Sequence, residues 1–166
     1  MADEIERDVV LHHPNRERAG NKLTKYVIFM LLLVSVALVA VVTVGGWSKL
    51  EGAKPVQIGY MLVYLVMAFY VLRWNRGVLP LAAALAIILA IFAGISGPEW
   101  LDRDKSGFTA PELDESVLAL FTFLIVPIQV LLIAFAMRGF QQAWNVEEEV
   151  PNGDGHSGYQ GHPQTA

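Results

Sequence analysis

The sequence predicts an all-α integral membrane protein, a four-helix bundle with disordered polar tails. Hydrophobic residues make up 54% of its 166 residues and charged residues only 17%, whereas an average soluble domain is about 25% charged. The apolar residues also fall into four uncharged blocks, each close to the roughly 20 residues that a membrane-spanning helix needs. Because a charge at mid-membrane costs at least about 2.5 kcal/mol, this exclusion favours lipid-spanning helices over the core helices of a soluble protein.

Polar residues, glycines and prolines delimit the four predicted spans. The first apolar run is longer than the roughly 7–15 residues of a signal-peptide core, so we expect a retained anchor. Pro55 suits the entry of the second span, Pro80 falls in the first turn of the third, and Pro98 follows the end of the third. The predicted spans are 26–47, 56–72, 78–97 and 116–137, within a membrane domain over 26–144 that is flanked by a charged tail over 1–25 and a Gly-, Pro- and Gln-rich tail over 145–166.

The basic residues are distributed unequally between the two sides of the predicted bundle. The two tails and the second loop carry eight Lys and Arg residues, and the first and third loops carry four. The positive-inside rule therefore places both termini in the cytoplasm and predicts a multi-pass protein of the plasma membrane.

The tryptophans support the same span boundaries. Each falls within about seven residues of a predicted span end, and amphipathic indole rings prefer the headgroup layer. We therefore expect all four to act as interface anchors: Trp47, Trp74, Trp100 and Trp144.

The third span carries small residues at four-residue spacing. Membrane helices associate through close van der Waals approach, which small side chains allow. This pattern predicts that the third span is a central packing helix, within the bundle or against another subunit, through Ala82, Ala86, Ala90 and Gly94.

The second span is aromatic, and the fourth carries a proline and two polar residues. Tyr60, Tyr64 and Met67 share one helical face; with Tyr70, the tyrosines could line a polar seam or a lipid or quinone site, or could simply pack and anchor. Proline removes a helical hydrogen bond and predicts a kink, and buried polar side chains hydrogen-bond across helices. We expect a gate, a ligand site or structural cross-linking at Pro127, Gln129 and Thr122.

The loop after the third span resembles an EF-hand calcium loop. Aspartate, aspartate and serine stand at the first, third and fifth positions, and glycine stands at the sixth, where such a loop turns. The carboxylate expected at the twelfth position is at the eleventh, so the alternative is a solvated turn that caps the fourth helix through Asp114 or Ser116. The candidate ligands are Asp102, Asp104, Ser106 and Glu112.

Composition excludes several classes of function. The chain has no cysteine and a net charge of −4, and its four histidines all lie in the tails. Thiol chemistry, a nucleic-acid partner and axial ligation of haem by histidines within the spans are therefore not expected. We expect no cofactor and no catalytic residue.

By elimination, the sequence predicts a non-catalytic accessory or scaffolding subunit. Such a chain would pack beside larger subunits of a respiratory or transport complex, with membrane lipids, other membrane subunits or its own copies as partners. One alternative is a small oligomeric channel or transporter lined by Gln129, Thr122 and the tyrosines, although the spans lack the ionisable groups typical of coupled transport. Another is a weak calcium or ligand sensor on the outer face, using Asp102 and Asp104.

Overall fold

The fold was analysed in a computed structural model, which describes residues 9–50, 52–102 and 111–151. Four of its helices are long and apolar enough to cross a membrane, which confirms the predicted spans as helices. In chain order the elements are β1 (Val9–His12), α1 (Pro14–Glu17), α2 (Ala19–Gly45), a 3-10 turn (Trp47–Lys49), α3 (Lys54–Leu72), α4 (Val78–Asp102), α5 (Glu115–Gln141) and β2 (Glu148–Pro151).

Three helices extend further than the hydropathy pattern predicted, and α5 ends at Gln141 rather than at residue 137. Helix α2 begins at Ala19 rather than at residue 26, and its added turns bury the polar side chains of Asn21 and Thr24. Helix α4 continues through Pro98 to Asp102 instead of ending at residue 97. The buried ring of Trp100 holds the last turn of α4 against the bundle, and this packing compensates for the hydrogen bond that Pro98 cannot make.

The four long helices are arranged as an incompletely closed bundle. Helix α5 packs against both α4 and α2, and α2 also packs against α3, whereas the contact between α3 and α4 is much smaller. We call the end with the α3–α4 turn the terminal end, because both described chain ends lie there. The opposite end, with the α2–α3 and α4–α5 connections, is the loop end.

The predicted small-residue row of α4 is buried within the bundle in its first half only. Ala82 and Ala86 are fully buried, but Ala90 is only partly buried and Gly94 is exposed, with open space where a side chain would be. A four-residue step turns 40° past a full turn of a helix with 3.6 residues per turn, so a strict four-residue row leaves the interface. The packing line continues instead through Ala93 and Gly97.

The outer surface of the bundle is apolar. Only 22–33% of the most hydropathic window of each long helix is buried inside the protein, and large exposed side chains such as Leu62, Ile91 and Val130 cover the outside. A surface of this kind suits acyl chains or other membrane helices rather than water.

The chain ends are partly ordered, which corrects the prediction of disordered tails. Strands β1 and β2 pair in antiparallel register from Val9 opposite Pro151 to His12 opposite Glu148. Beyond them, Asn15 and Arg16 donate side-chain hydrogen bonds of 3.0 Å to the carbonyl oxygens of Ala143 and Trp144. The rest of the predicted tails, residues 1–8 and 152–166, lies outside the described residues.

Candidate functional site: a polar cluster beneath a cavity

A buried polar cluster joins three helices at the centre of the bundle. The hydroxyl of Tyr64 on α3 donates to the amide oxygen of Gln129 on α5 at 2.9 Å. The amide nitrogen of Gln129 donates to the hydroxyl of Ser35 on α2 at 2.9 Å, and Ser35 donates to the carbonyl oxygen of Leu31 at 2.7 Å. Gln129 and Ser35 are 0% exposed, so these bonds satisfy groups that water cannot reach.

The other two sequence candidates on α5, Thr122 and Pro127, take no part in this cluster. Thr122 is buried but donates to the carbonyl oxygen of Leu118 in its own helix, at 2.8 Å. Helix α5 runs unbroken through Pro127, whose side chain is exposed. Of the three sequence candidates, Gln129 alone has a side chain bonded across helices among the described residues, and the predicted kink and gate at Pro127 stay predictions.

An apolar layer separates the polar cluster from the terminal end. Leu32 on α2 and Leu132 on α5 lie next along their helices, with Ile28 and Leu79 nearer the end, and all four are fully buried. The buried side chains here are packed directly against one another. Buried apolar side chains therefore lie between Gln129 and the terminal end.

Aromatic and basic side chains complete the seal at the terminal end. Trp144 is fully buried, and its ring meets that of Trp74 edge to face at a centroid distance of 5.3 Å. The ammonium of Lys25 lies 4.1 Å from the centroid of the Trp74 ring, a cation–π contact. Gly139 leaves room for this packing, because a Cβ there would lie 3.1 Å from the Trp144 ring.

The loop end, in contrast, is hollow. A cavity of about 400 Å³ lies there among all four long helices, and its lining includes apolar side chains of each. It lies between the loop-end parts of α3 and α4, two helices that contact each other little. Its wall includes Val42, Val56, Leu89, Ala93, Trp100 and Ile125.

Polar groups are placed at the wall and the mouth of this cavity. Gln57 and Tyr60 on α3 contribute to the wall, and Lys49 and Glu99 lie at the loop end of the lining. The amide oxygen of Gln57 is 2.6 Å from the hydroxyl of Thr43. The Tyr60 ring contacts the Tyr64 ring edge to face at 5.9 Å, so the cavity and the polar cluster are neighbours.

The four tryptophans lie at helix ends but in unlike surroundings. Trp47 is 45% exposed, with the ammonium of Lys54 4.6 Å from its ring centroid, as an interface anchor would be. Trp100 and Trp144 are 3% and 0% exposed, so their rings pack inside the bundle, and their place at the membrane interface stays a prediction. Trp100 instead packs against Gly46, where a Cβ would overlap its ring.

The structure describes two of the four candidate calcium ligands. Asp102 ends α4, and Glu112 accepts hydrogen bonds from the backbone N–H of Ser48 at 3.2 Å and from its hydroxyl at 3.3 Å. Asp104 and Ser106 lie outside the described residues. Among the described residues, no group of three or more His, Asp or Glu side chains could hold a metal ion.

The two carboxylates before α5 are held in their charged form. Hydrogen bonds from its own backbone N–H and from that of Ser48 lower the pKa of Glu112 below its usual value, with help from the Ser48 hydroxyl and the Lys49 charge. Asp114 is the N-cap of α5, as predicted, and accepts from the backbone N–H of Ser116 at 2.9 Å. Hydrogen bonds from Ser116 likewise lower the pKa of Asp114.

Sequence reasoning found Gln129 but missed its partner Ser35 and the cavity. Ser35 is a polar residue in an apolar run, and that is the one signal the sequence offered for it. The cavity depends on how the four helices pack at the loop end, which a linear pattern does not encode. Comparison of the chain with family models, with curated proteins and with solved structures gives no significant match.

Proposed function

We propose that this protein is a non-catalytic accessory or scaffolding subunit that packs beside larger subunits in the membrane. The central cluster of Ser35, Tyr64 and Gln129 is the observation that carries the proposal. Its polar groups bond to one another across three helices, and an apolar layer closes the bundle beneath them. This arrangement favours a rigid body with a large apolar exterior over a conduit for solutes.

Exposed small residues on the exterior add to this support. Gly94 faces outward with open space around it, and Gly59 on α3 has open space as well. Small residues on a lipid-facing surface let a second helix approach closely. A neighbouring membrane subunit could therefore pack at these positions.

Site-specific photo-crosslinking in the native membrane tests the proposal. A photoreactive residue at Gly94 is expected to capture one larger membrane protein in good yield, and the same residue at Leu62 on α3 serves as the exposed control. The captured protein should lose its own assembly when this chain is deleted. A chain that is monomeric in mild detergent and gives substrate-dependent flux in liposomes would instead support the channel or transporter.

For the orientation, we propose that the terminal end faces the cytoplasm and the loop end faces outward across the plasma membrane. The excess of basic residues at the terminal end supports this. Because the chain has no cysteine, Ser48→Cys and Asn145→Cys each introduce a single exposed thiol. An impermeant maleimide should label Ser48→Cys in intact cells and Asn145→Cys only after permeabilisation; the opposite pattern would reverse the orientation.

A further inference from the structure

The cavity at the loop end has the features of a ligand site that the scaffolding role does not require. We propose that it binds an amphipathic membrane molecule with an apolar body and a carbonyl-type oxygen, which enters from the bilayer between α3 and α4. At about 400 Å³, its volume falls in the range of roughly 300–1,000 Å³ that is typical of small-molecule sites.

The position of the cavity points to the bilayer as the source of the ligand. Val56 on α3 and Phe92 on α4 both line the cavity, and they are also 54% and 52% exposed. Because α3 and α4 contact each other little, we infer that the lining continues between them onto the apolar outer surface. A molecule dissolved in the adjacent leaflet can reach the cavity without crossing water.

The lining accounts for the apolar body of the ligand. From Leu89 to Trp100, α4 forms one wall that is about 16 Å long at 1.5 Å per residue. Opposite it lie Val39 on α2 and Ile125 on α5. A wall of this length fits one acyl chain or a ring with a short isoprenoid tail.

Two side chains of α3 offer hydrogen-bond donors to the carbonyl-type oxygen of the proposed ligand. Among the described residues, the hydroxyl of Tyr60 and the amide nitrogen of Gln57 donate no hydrogen bond, although both side chains line the cavity. A donor in an apolar environment is stabilised by an acceptor, and a ligand carbonyl supplies one. Lys49 and Glu99 give the mouth charges of both signs, which suits a headgroup without net charge.

Native mass spectrometry of the full chain, released from mild detergent after incubation with a probe, tests the site. The two probes are decyl-ubiquinone and a phosphatidylethanolamine. Both have an apolar body and carbonyl oxygens, and they represent the two sources of such a ligand, membrane quinones and phospholipids. We expect one of them to bind saturably, one molecule per chain. Ala93→Phe fills the cavity and should reduce binding at least tenfold, whereas Ala84→Phe, on the exposed side of the same helix, should bind like the wild type.

A second pair of variants removes donors without filling the cavity. Tyr60→Phe and Gln57→Leu should each weaken binding by about three- to tenfold, as expected for the loss of one hydrogen bond. Tyr60→Phe should keep the melting temperature, whereas Gln57→Leu also removes the acceptor beside the Thr43 hydroxyl and should lower it slightly. Equal binding by Ala93→Phe and Ala84→Phe, or no saturable binding of either probe to the wild type, would overturn the site. Unchanged binding in both donor variants would overturn the carbonyl contact.

Discussion

The hydroxyl of Tyr64 donates a 2.9 Å hydrogen bond to the amide oxygen of Gln129, which lies on another helix 65 positions away. Both residues are buried, and the same amide reaches Ser35 on a third helix. A leucine side chain is about as stable against lipid as against another helix, so apolar contacts alone define the rotation of a membrane helix weakly. The hydrogen bonds of Gln129 to two other helices therefore help to fix how the three helices are rotated relative to one another.

Replacing Gln129 by leucine is expected to destabilise the bundle by about 1–3 kcal/mol. The change leaves the Tyr64 hydroxyl buried without an acceptor, and an unsatisfied buried group costs about that much. Chemical unfolding in mild detergent measures the loss. A double-mutant cycle with Tyr64→Phe should give a coupling energy of about 0.6–1.7 kcal/mol; strictly additive effects would show that the bond contributes nothing.

The two glycines of α4 at positions 94 and 97 should respond in opposite directions to alanine. A Cβ at Gly97 would lie 2.7 Å from the Phe123 ring, while Gly94 has open space. Gly97→Ala should therefore destabilise the bundle by about 1–3 kcal/mol through overpacking. Gly94→Ala should stabilise it by about 0.5–1 kcal/mol, because alanine loses less backbone entropy in a helix. Melting curves compare them; equal effects would place both glycines on the same surface.

Replacing Trp144 and Trp47 by alanine should distinguish a tryptophan that stabilises the fold from one that anchors the protein at the membrane interface. Trp144 is 0% exposed and Trp47 is 45% exposed. Trp144→Ala should cost about 3–5 kcal/mol, which is typical for removing a buried aromatic side chain, and Trp47→Ala should cost much less. Thermal unfolding at constant detergent concentration is the measurement. A similar loss from both would return Trp144 to the role of an interface anchor.

The contact between Glu112 and Ser48 should weaken in acid. The pKa of Glu112 is lowered in the folded protein, so its stabilising contribution is present above the usual value of 4.5 and is lost as the pH falls through the folded pKa. The Ser48 amide resonance, followed by NMR in micelles from pH 7 to pH 3, should shift with this titration. In Glu112→Gln the shift should vanish; if it persists, another group, such as Asp114, drives it.

Hydropathy was enough to predict the four spans, because excluding charge from lipid is a large energy that is read residue by residue. It misplaced the ends of α2, α4 and α5, and in α4 specific packing outweighs local pattern, because the Trp100 ring holds the helix past Pro98. Gly94 lies outside the bundle, so packing of the small-residue row against another subunit stays a prediction there. The cavity could not be predicted, since it depends on how far apart α3 and α4 lie at the loop end.

The two ends of the bundle differ in packing: the loop end contains a cavity, and the terminal end is filled by side chains. In this conformation the cavity beside Tyr60 lies at the loop end, while the buried side chains of Leu32, Leu132 and Trp144 fill the bundle toward the terminal end. A molecule held in the proposed site would therefore exchange with the half of the bilayer nearer the loop end, because packed apolar side chains lie between the site and the other half.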